Sequence, residues 1–468
     1  MTKKTKIIAT IGPSSESVEV IEKLIHEGVN LFRFNLKHNV FDWHKNGIDR
    51  VNKIAKKMEK NIGIFVDFQG PEIRLETPNA EPLEVLTGES LFISKEFLKD
   101  KKSIKLNPIL VSSQIEVGDE VFIDDGDLDL KVIGKNRGVL EAIAGRDYVI
   151  KNRKSMNVPG KNFDLPLFAD RDLDTLEKID QLKIDFVALS FVRTADDIFT
   201  LKKALIKNGS TAKVIAKIEN AKAIENLEEI ILASDGIMVA RGDLGIEIPI
   251  RELAYWQKKI VDLCRKHSKP VIVATQMLQS MVTNYHPTRA EATDVSNAIF
   301  DGTDAVMLSE ETAMGKYPIK VVSEMAKIAS FCENHGLTKE IPMDPKNLTE
   351  VLVNAAVKIV KGTKDFPIKA VVLFTQSGNT ARILSRYRLK IPVIAITNNR
   401  ETVKTLSLSY GINPYYKNFR ENDFKASNPI FNELLKFEFV EKGDNVLMIH
   451  GNNWMDAGST SDISLVTL

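Results

Sequence analysis

The chain has 468 residues, 43% hydrophobic and 27% charged, which is enough for more than one domain and typical of a globular protein. A formal net charge of +1 provides no basic field for nucleic acid, and no lysine-rich patch indicates a membrane surface. Cys264 and Cys332 lie outside any CxxC pair, which argues against a disulfide framework or a thiolate zinc site. With no signal-peptide core and no apolar run of membrane-spanning length, we expect a cytoplasmic protein.

The first predicted elements alternate between strands and helices. KIIATIG (6–12) predicts a strand, and the amphipathic VEVIEKLIHEG predicts a helix with Gly28 as its C-capping residue. LFRFNL, a charged helix through Lys60 and IGIFVDF continue the pattern. Alternation of this kind indicates a parallel sheet.

From about residue 72 to 156 the pattern changes to short strands and turns, which predicts an inserted all-β domain. After FDLP the alternation resumes with five more strands, in DFVALSFV, AKVIAKIE, GIMVARGDL, PVIVAT and AVMLSEE. Three strands before the insertion and five after it make eight, which favours a closed (β/α)8 barrel over an open doubly wound sheet.

A polar, proline-bearing stretch, IPMDPKNL (341–348), predicts a linker, and the strand and helix patterns beyond it predict a separate α/β domain. We therefore expect an α/β protein with three parts. These are a (β/α)8 TIM barrel from residues 1–71 and 157–340, an inserted all-β domain at 72–156, and a C-terminal α/β domain at 345–468.

Polar side chains follow the apolar run of almost every predicted barrel strand. In a (β/α)8 barrel the chemistry lies at the carboxyl ends of the strands. Core packing does not need the lysine and glutamate of AKVIAKIEN or the aspartate of MVARGDLG. The residues at these ends are Arg33, Asn35, Asp67, Ser190, Phe191, Lys217, Glu219, Asp243, Thr275, Ser309 and Glu311.

Taken singly, each of these residues has a structural interpretation. A charged residue at a strand end is more often a solvated rim residue, RGDLG is more often a turn than a metal site, and Thr275 is typical of an N-cap. Convergence on one mouth favours function instead. Two carboxylates from neighbouring strands, with few histidines and no thiols nearby, suit Mg²⁺ or Mn²⁺. A lysine and an arginine beside them suit an anionic substrate, most simply a phosphate.

Long motifs across the chain resemble those of pyruvate kinases, in the same order. They are TKIIATIGPSS, DFQGPEIR, VGDEVFIDDG, DFVALSFVR, KIEN, DGIMVARGDLGIEIP, KPVIVATQMLQSM, PTRAEATDVSNAIFDGTDAVMLS and ET. The resemblance covers nearly the whole chain and implies the barrel, the inserted domain as a lid, and the C-terminal domain described above. It also implies transfer of a phosphoryl group from phosphoenolpyruvate to ADP, giving pyruvate and ATP, in the last step of glycolysis, and a homotetramer.

The resemblance assigns roles to individual residues at the barrel mouth. Glu219 and Asp243 would hold the divalent metal, and Lys217 would stabilise the transferring phosphoryl group and the enolate oxygen. Arg33 and Arg74 would bind the substrate phosphate. Gly242, Asp243 and Thr275 would bind the substrate carboxylate, with Ser190 and Phe191 as further substrate-binding residues. Thr275, Ser309 and Glu311 would form the relay that protonates the enolate.

The resemblance also places a nucleotide side and an effector loop. Asn35, His38 and Lys154 would meet the nucleotide, with Lys154 reaching in from the end of the lid. TQSGNT resembles a phosphate-holding effector loop, with Thr375, Ser377, Gly378, Asn379 and Thr380 as its binding residues. The later loop, HGNNWMDAGST, lacks the arginine of enzymes activated by fructose bisphosphate, which argues against a sugar-phosphate effector.

Three positions depart from the family pattern. Lys37-His38-Asn39 replaces the usual S-H-G, Phe68-Gln69 replaces T-K in D-T-K-G-P-E, and Glu310 stands in the glycine position of MLSGET. These departures leave open a catalytically silent relative that acts as a regulatory or binding subunit. A metal-dependent lyase or aldolase on the same barrel is a further alternative, but it leaves Lys217 and the lid without a role.

Lys37 bears on the monovalent cation that most of the family binds. The K⁺ ligands would come from the positions of Asn35, Lys37, Asp67 and the carbonyl of Phe68. An ammonium only donates hydrogen bonds, so Lys37 cannot ligate K⁺ and would repel it. Members of the family that do not need K⁺ carry a lysine in place of the glutamate of GPE, where this chain keeps Glu72. We therefore expect Lys37 to occupy the K⁺ site, paired with Asp67 and Glu72, so that K⁺ is not required; the alternative is a Lys37 that faces solvent.

Overall fold

The computed structural model describes most of the chain, and all statements below refer to the described ranges: 3–161, 163–336, 338–363, 366–418, 433–437, 439–451 and 460–468. Within them, no helix is long and apolar enough to cross a membrane. Short 3₁₀ turns lie at Pro78–Ala80, Ile109–Gln114, Ile179–Gln181, Ile250–Glu252, Gln279–Val282 and Leu406–Leu408.

The first half of the barrel follows the predicted alternation. Its elements are β1 (Lys6–Thr10), α1 (Val18–His26), β2 (Leu31–Asn35), α2 (Phe41–Lys57) and β3 (Gly63–Asp67). The Ser17 hydroxyl accepts a hydrogen bond from the Val20 amide and so caps the start of α1. Gly28, with φ of 106°, lets the chain turn out of that helix, as predicted.

A β domain is inserted after β3. Its strands are β4 (Arg74–Glu76), β5 (Leu83–Val85), β6 (Ser90–Ile93), β7 (Ser103–Asn107), β8 (Glu120–Ile123), β9 (Leu128–Asn136), β10 (Val139–Ala144), β11 (Tyr148–Ile150) and β12 (Met156–Asn157). Seven of them form one sheet in the order β12-β8-β9-β10-β6-β7-β4, and β11 pairs with β5. The inward-facing side chains, such as Leu91, Leu130 and Leu140, form a core separate from that of the barrel.

The chain then completes the barrel. The strands are β13 (Phe186–Leu189), β14 (Lys213–Ile218), β15 (Gly236–Ala240), β16 (Val271–Ala274) and β17 (Ala305–Leu308). The helices are α3 (Asp170–Leu176), α4 (Ala195–Lys207), α5 (Ala221–Glu225), α6 (Leu227–Ala233), α7 (Arg241–Glu247), α8 (Leu253–Lys266), α9 (Arg289–Asp301), α10 (Glu310–Ala313) and α11 (Pro318–His335). The eight strands close in the order β1-β17-β16-β15-β14-β13-β3-β2, so the predicted (β/α)8 barrel is confirmed.

The C-terminal part forms a five-stranded sheet with helices. Its elements are α12 (Leu348–Gly362), β18 (Ile368–Phe374), α13 (Asn379–Ser385), β19 (Val393–Thr397), α14 (Arg400–Thr405), β20 (Ile412–Tyr416), β21 (Asn445–Gly451) and β22 (Thr460–Thr467). The strand order is β20-β19-β18-β21-β22, with β22 antiparallel to β21. Strands β20 and β22 were not predicted, and they are the two edges of the sheet.

Candidate active site

The carboxyl ends of β2 and β3 carry a buried ion pair. Arg33 donates through Nε and Nη2 to Oδ2 of Asp67, at 2.9 and 2.6 Å, and through Nη1 to the Thr10 hydroxyl at 3.1 Å. Burial alone would raise the pKa of Asp67, but the Lys217 and Arg33 cations hold it below its ordinary value. Asp67 is therefore ionised, and Arg33 is fixed at the barrel mouth.

Lys217, near the end of β14, lies among three partners. Its Nζ is 2.6 Å from Oε1 of Glu219 and 3.5 Å from Oδ1 of Asp67, and it donates to the Ser190 hydroxyl at 2.8 Å. Burial disfavours a charged lysine, but the neighbouring carboxylates outweigh it and raise the Lys217 pKa above its ordinary value. The ammonium is thus held charged in a nearly closed site, since its side chain is only 12% exposed.

Glu219 directly follows β14, and Asp243 lies in the first turn of α7. Oε2 of Glu219 accepts from the Phe191 amide at 2.7 Å, while Oε1 contacts Lys217 without hydrogen-bond geometry. In the described residues, no hydrogen bond or ion pair reaches the Asp243 carboxylate. Burial raises the pKa of Glu219 to about 7 and raises that of Asp243, although the Lys217 cation opposes both shifts.

This pair fits a divalent metal. The buried Glu219, with one unsatisfied oxygen, and the half-buried Asp243 offer the hard oxygen ligands that Mg²⁺ prefers, and they would supply only part of its octahedral shell. The described part of the chain contains no group of three or more histidine, cysteine, aspartate or glutamate side chains that could form a complete protein cage. Water and substrate oxygens must then supply the other ligands.

Ser190, Phe191 and Phe68 support the lysine from behind. Ser190 donates to the Phe68 carbonyl at 2.8 Å and accepts from Lys217. Phe191 has a positive φ of 54°, which aims its amide at Glu219. Gly70 packs against Ser190 and Phe191 so closely that an added Cβ would lie 2.8 Å from each of these side chains. The Phe68 carbonyl, predicted as a K⁺ ligand, accepts this one hydrogen bond from Ser190.

Thr275 lies in a left-handed turn and does not cap a helix. Its φ is 68° and that of Gln276 is 52°, both uncommon for residues other than glycine. The Thr275 hydroxyl accepts from the Gly242 amide at 2.8 Å and donates to the Ala274 carbonyl at 2.7 Å. The N-cap interpretation of Thr275 is therefore wrong. The hydroxyl instead links the ends of β15 and β16.

Arg241 holds that turn, and sequence analysis missed it. Its guanidinium is buried and donates to the carbonyls of Ala274, Thr275 and Gln276, at 3.3, 2.7 and 3.4 Å. An ion pair with Asp294 at 2.7 Å anchors its other end. An arginine placed directly after the buried run GIMVA was the sequence signal that could have identified it.

Ser309 and Glu311 follow β17. The fully buried Glu311 accepts from the Ser309 amide at 2.7 Å and from the Leu278 amide at 3.2 Å, so it ties two active-site loops together. Glu310, the departure from the family pattern, is exposed and accepts from the Gln279 side chain at 2.8 Å. Because Glu310 faces solvent, its side chain does not disturb the Ser309–Glu311 contact.

Lys37 pairs with Glu72 and does not pair with Asp67. Its Nζ lies 2.5 Å from Oε1 of Glu72, whose other oxygen accepts from Arg74 Nη2, also at 2.5 Å. The predicted contact with Asp67 is wrong for this structure, because that carboxylate already binds Arg33 and Lys217. The solvent-facing alternative is also not observed, since the Lys37 side chain is 33% exposed and held in an ion pair.

A cleft of about 220 Å³ separates the lid from the barrel mouth. Lys154, predicted on the nucleotide side, lines it and is paired with Asp124 at 2.7 Å. His38 lies next to Lys37, and burial together with the Lys37 charge lowers its pKa. The other lining residues that the site uses are Lys37, Glu72, Arg74, Phe191, Asp243 and Glu247. Asn35 is at the same rim, where its side chain accepts from the Lys37 amide at 3.1 Å.

Glu247 forms a contact between barrel and lid that sequence analysis missed. Its Oε1 accepts from the Asn157 side chain at 2.9 Å, at the point where the lid returns to the barrel. Burial raises the pKa of Glu247 to about 7. No short motif marks this pair in the sequence, because the two residues are 90 positions apart.

The predicted effector loop joins β18 to α13. Thr375 accepts from the Gly378 amide at 2.9 Å, and Gly378 has a positive φ of 80°. Arg382 donates to the Ser377 carbonyl at 2.9 Å, and the Thr380 and Thr460 hydroxyls are 3.0 Å apart. Asn379 begins α13. The later loop, HGNNWMDAGST, lies largely outside the described residues, so the expectation about its missing arginine stays a prediction.

The fold and the residues at the barrel mouth define a (β/α)8-barrel protein in which cations and carboxylates converge beneath an inserted β domain. Comparisons with known proteins identify the family within this class. The sequence profile of the pyruvate kinase barrel domain matches residues 2–322, and that of the pyruvate kinase alpha/beta domain matches residues 350–466. The chain belongs to the pyruvate kinase family.

Individual relatives agree. A Staphylococcus epidermidis protein named pyruvate kinase is 38% identical over 466 residues, covering 98% of this chain and 79% of the relative. A Staphylococcus saprophyticus pyruvate kinase is 39% identical over 471 residues, covering 99% and 80%. The crystal structure of a pyruvate kinase from Cryptosporidium parvum is similar with a TM-score of 0.91 and 32% identity, over 99% of this chain and 96% of the other.

Proposed function

We propose that this protein transfers the phosphoryl group of phosphoenolpyruvate to ADP, giving pyruvate and ATP. The observation that carries the proposal is the Lys217 ammonium, held charged 2.6 Å from Glu219 and 3.5 Å from Asp67 at the mouth of the barrel. Catalysis of phosphoryl transfer consists mainly of positioning and of preorganised positive charge. The match to pyruvate kinases over nearly the whole chain supports the same reaction.

Glu219 and Asp243 would hold Mg²⁺ or Mn²⁺, and the unsatisfied buried Oε1 of Glu219 supports this assignment. When bound, the metal would supply positive charge beside the reacting phosphoryl group and the enolate oxygen. Lys217 would stabilise the charge that develops on that oxygen as the phosphorus–oxygen bond breaks. Burial raises the pKa of both carboxyl groups, with a smaller contribution to Glu219 from the Asp243 carboxylate, and a bound divalent cation would favour their charged forms.

The remaining substrate contacts follow from the same mouth. Arg33 and Arg74 would bind phosphate, and for Arg74 this means exchanging part of its contact with Glu72. The substrate carboxylate would lie against Gly242, Asp243 and Thr275. Thr275, with Ser309 and Glu311 behind it, would belong to the relay that delivers a proton to the methylene carbon of the enolate.

The nucleotide would enter from the lid side. We propose a lid of residues 72–156 that closes over the cleft, between barrel segments 1–71 and 157–340, with a C-terminal domain at 345–468. Closure excludes water from the reacting phosphoryl group. Lys154 would leave Asp124 and bind a nucleotide phosphate, with Asn35 and His38 beside it.

Lys37 would make K⁺ unnecessary. Its ammonium, paired with Glu72 beside Asn35, would supply the charge that K⁺ provides at the substrate phosphate. Activity should be the same in Na⁺, K⁺ or a bulky organic cation at matched ionic strength. Lys37→Ser should lower activity and make it depend on K⁺. Lys60→Ser, which removes an exposed lysine, should change neither the activity nor its response to K⁺. Strong activation of the wild type by K⁺ would refute this assignment.

The catalytically silent alternative loses its support. Lys217, Glu219, Asp243 and Thr275 are all at the barrel mouth, and the altered Glu310 faces solvent. We further propose a homotetramer, on the basis of the family. We also propose a cytoplasmic location, which the free thiols of Cys264 and Cys332 support. An assay of pyruvate formed from phosphoenolpyruvate and ADP, coupled to lactate dehydrogenase, tests the function: metal-dependent turnover supports it, and no turnover at any metal concentration refutes it.

A further inference from the structure

A small cavity lies between the barrel and the C-terminal domain, at the amino ends of the barrel strands. Lys269, just before β16, and Asp304, just before β17, line it from the barrel, and Ser385 and Ser409 line it from the C-terminal domain. Its volume of about 10 Å³ is close to the smallest space that holds one water-sized occupant.

The lining carries an excess of positive charge. It contains five cationic side chains and one carboxylate: Arg265, Lys269, Arg382, Arg386, Arg388 and Asp304. Arg388 binds Asp304 at 2.8 Å, and Arg386 reaches Glu350 at 3.1 Å.

The other cations find only neutral partners. Lys269 donates to the Ser234 carbonyl, Arg382 donates to the Ser377 carbonyl, and Arg265 donates to main-chain carbonyls, without an ion pair among the described residues. The five lining cations form ion pairs with two carboxylates, Asp304 and Glu350. Asp235 and Asp262 lie farther off and offset part of the remaining positive charge on Lys269, Arg382 and Arg265, but they are themselves paired with Lys202 and Lys339. Burial and the nearby Arg388 lower the pKa of Arg265 to about 10, as expected where positive charge is incompletely compensated.

Three buried polar atoms of lining residues have no partner. They are Nε of Arg265, Nε of Arg386 and Oγ of Ser409. The residues are 3%, 3% and 1% exposed, so bulk water does not solvate them. Buried polar groups are nearly always hydrogen-bonded, and an unpaired one costs about 1–3 kcal/mol. The cavity therefore calls for an occupant that accepts hydrogen bonds.

We propose that this cavity binds a single monoatomic anion of the size of chloride. A water molecule would accept hydrogen bonds but would leave the excess charge uncompensated. A phosphate would compensate the charge but is too large for a space of about 10 Å³. Because Arg265 belongs to the barrel and Arg386 to the C-terminal domain, the anion would stabilise the contact between the two.

Anomalous diffraction from wild-type crystals grown in bromide tests the site directly and needs no variant. A bromide peak between the Arg265, Arg386 and Ser409 side chains is the expected result. Density there without an anomalous signal would identify a water molecule and overturn the proposal, as would bromide found only at other places on the surface.

A solution experiment uses chloride and the full chain. Replacing gluconate by chloride at matched ionic strength should raise the thermal unfolding midpoint of the wild type by about 1–3 °C. Ser409→Ala removes one orphaned donor and should lose most of this shift. Lys266→Gln, which removes an exposed cation outside the cavity, should keep it. Equal chloride shifts in all three proteins would overturn the proposal.

Discussion

Replacing Lys217 by methionine removes the ammonium and keeps a flexible side chain of similar length. In the wild type this group lies 2.6 Å from Glu219, 3.5 Å from Asp67 and 2.8 Å from the Ser190 hydroxyl. Removing one preorganised donor of this kind typically costs about 10²–10³ in kcat, or about 2.7–4 kcal/mol. Since the site is nearly closed to solvent, with 12% exposure of the side chain, water cannot replace the charge, and we expect a loss at the upper end of that range.

The loss should fall on kcat more than on KM, because the ammonium acts on charge that develops only as the phosphorus–oxygen bond breaks. Steady-state kinetics of pyruvate formation, with phosphoenolpyruvate varied at saturating ADP and Mg²⁺, separate the two constants. Lys222→Met is the matched control, because Lys222 is a partly exposed lysine outside the site, paired with Glu225 in the same helix, α5. A Lys217→Met enzyme that keeps its kcat but loses substrate affinity would show that Lys217 only binds.

Three further predictions test other parts of the site. Asp243→Ala should abolish Mg²⁺-dependent turnover and leave the circular dichroism spectrum unchanged, because the proposed metal site would lose one of its two carboxylates. Lys154→Ala should weaken ADP binding, measured by calorimetry, because the proposed phosphate contact of the lid would be lost. Glu247→Gln should raise the thermal unfolding midpoint more at pH 8 than at pH 5. The Glu247 pKa of about 7 exceeds its ordinary value of about 4.3, so the wild type loses stability as pH rises through this window.

Each of these has a clear contrary result. Near-normal turnover of Asp243→Ala in Mg²⁺ would remove Asp243 from the metal site. Equal ADP affinity of Lys154→Ala and the wild type would remove Lys154 from the nucleotide side. An equal effect of Glu247→Gln at pH 5 and pH 8 would show that Glu247 does not carry the proton that its buried position next to Asn157 implies.

The barrel was predictable because its strands are buried on both faces. Runs such as FVAL and GIMVA contain only buried residues in the structure, so each strand is a continuous apolar segment followed by polar side chains. Strands β20 and β22 lack that signal. They are sheet edges, where Pro414 is tolerated and where polar side chains of β22 remain partly exposed.

The site was predictable as a set of residues, but its pairings were not. Strand ends place Arg33, Asp67 and Lys217 at one mouth, yet only the structure shows that the two cations take both oxygens of Asp67 and leave Lys37 to Glu72. Which partner a charge selects depends on side-chain reach across strands, and the sequence does not encode that locally. Arg241, which supports the site, has a sequence signal in its position after GIMVA, but its partners, the Thr275 carbonyl and Asp294, lie 34 and 53 positions away and carry no local motif.

Phosphorus NMR of the complete reaction tests the central claim, transfer of a phosphoryl group at the barrel mouth, most directly. With phosphoenolpyruvate, ADP and Mg²⁺, the wild type should convert the phosphoenolpyruvate resonance into the γ-phosphate resonance of ATP, and Asp243→Ala should not. Release of inorganic phosphate without ATP, or an unchanged phosphoenolpyruvate signal with the wild type, would contradict the proposed reaction.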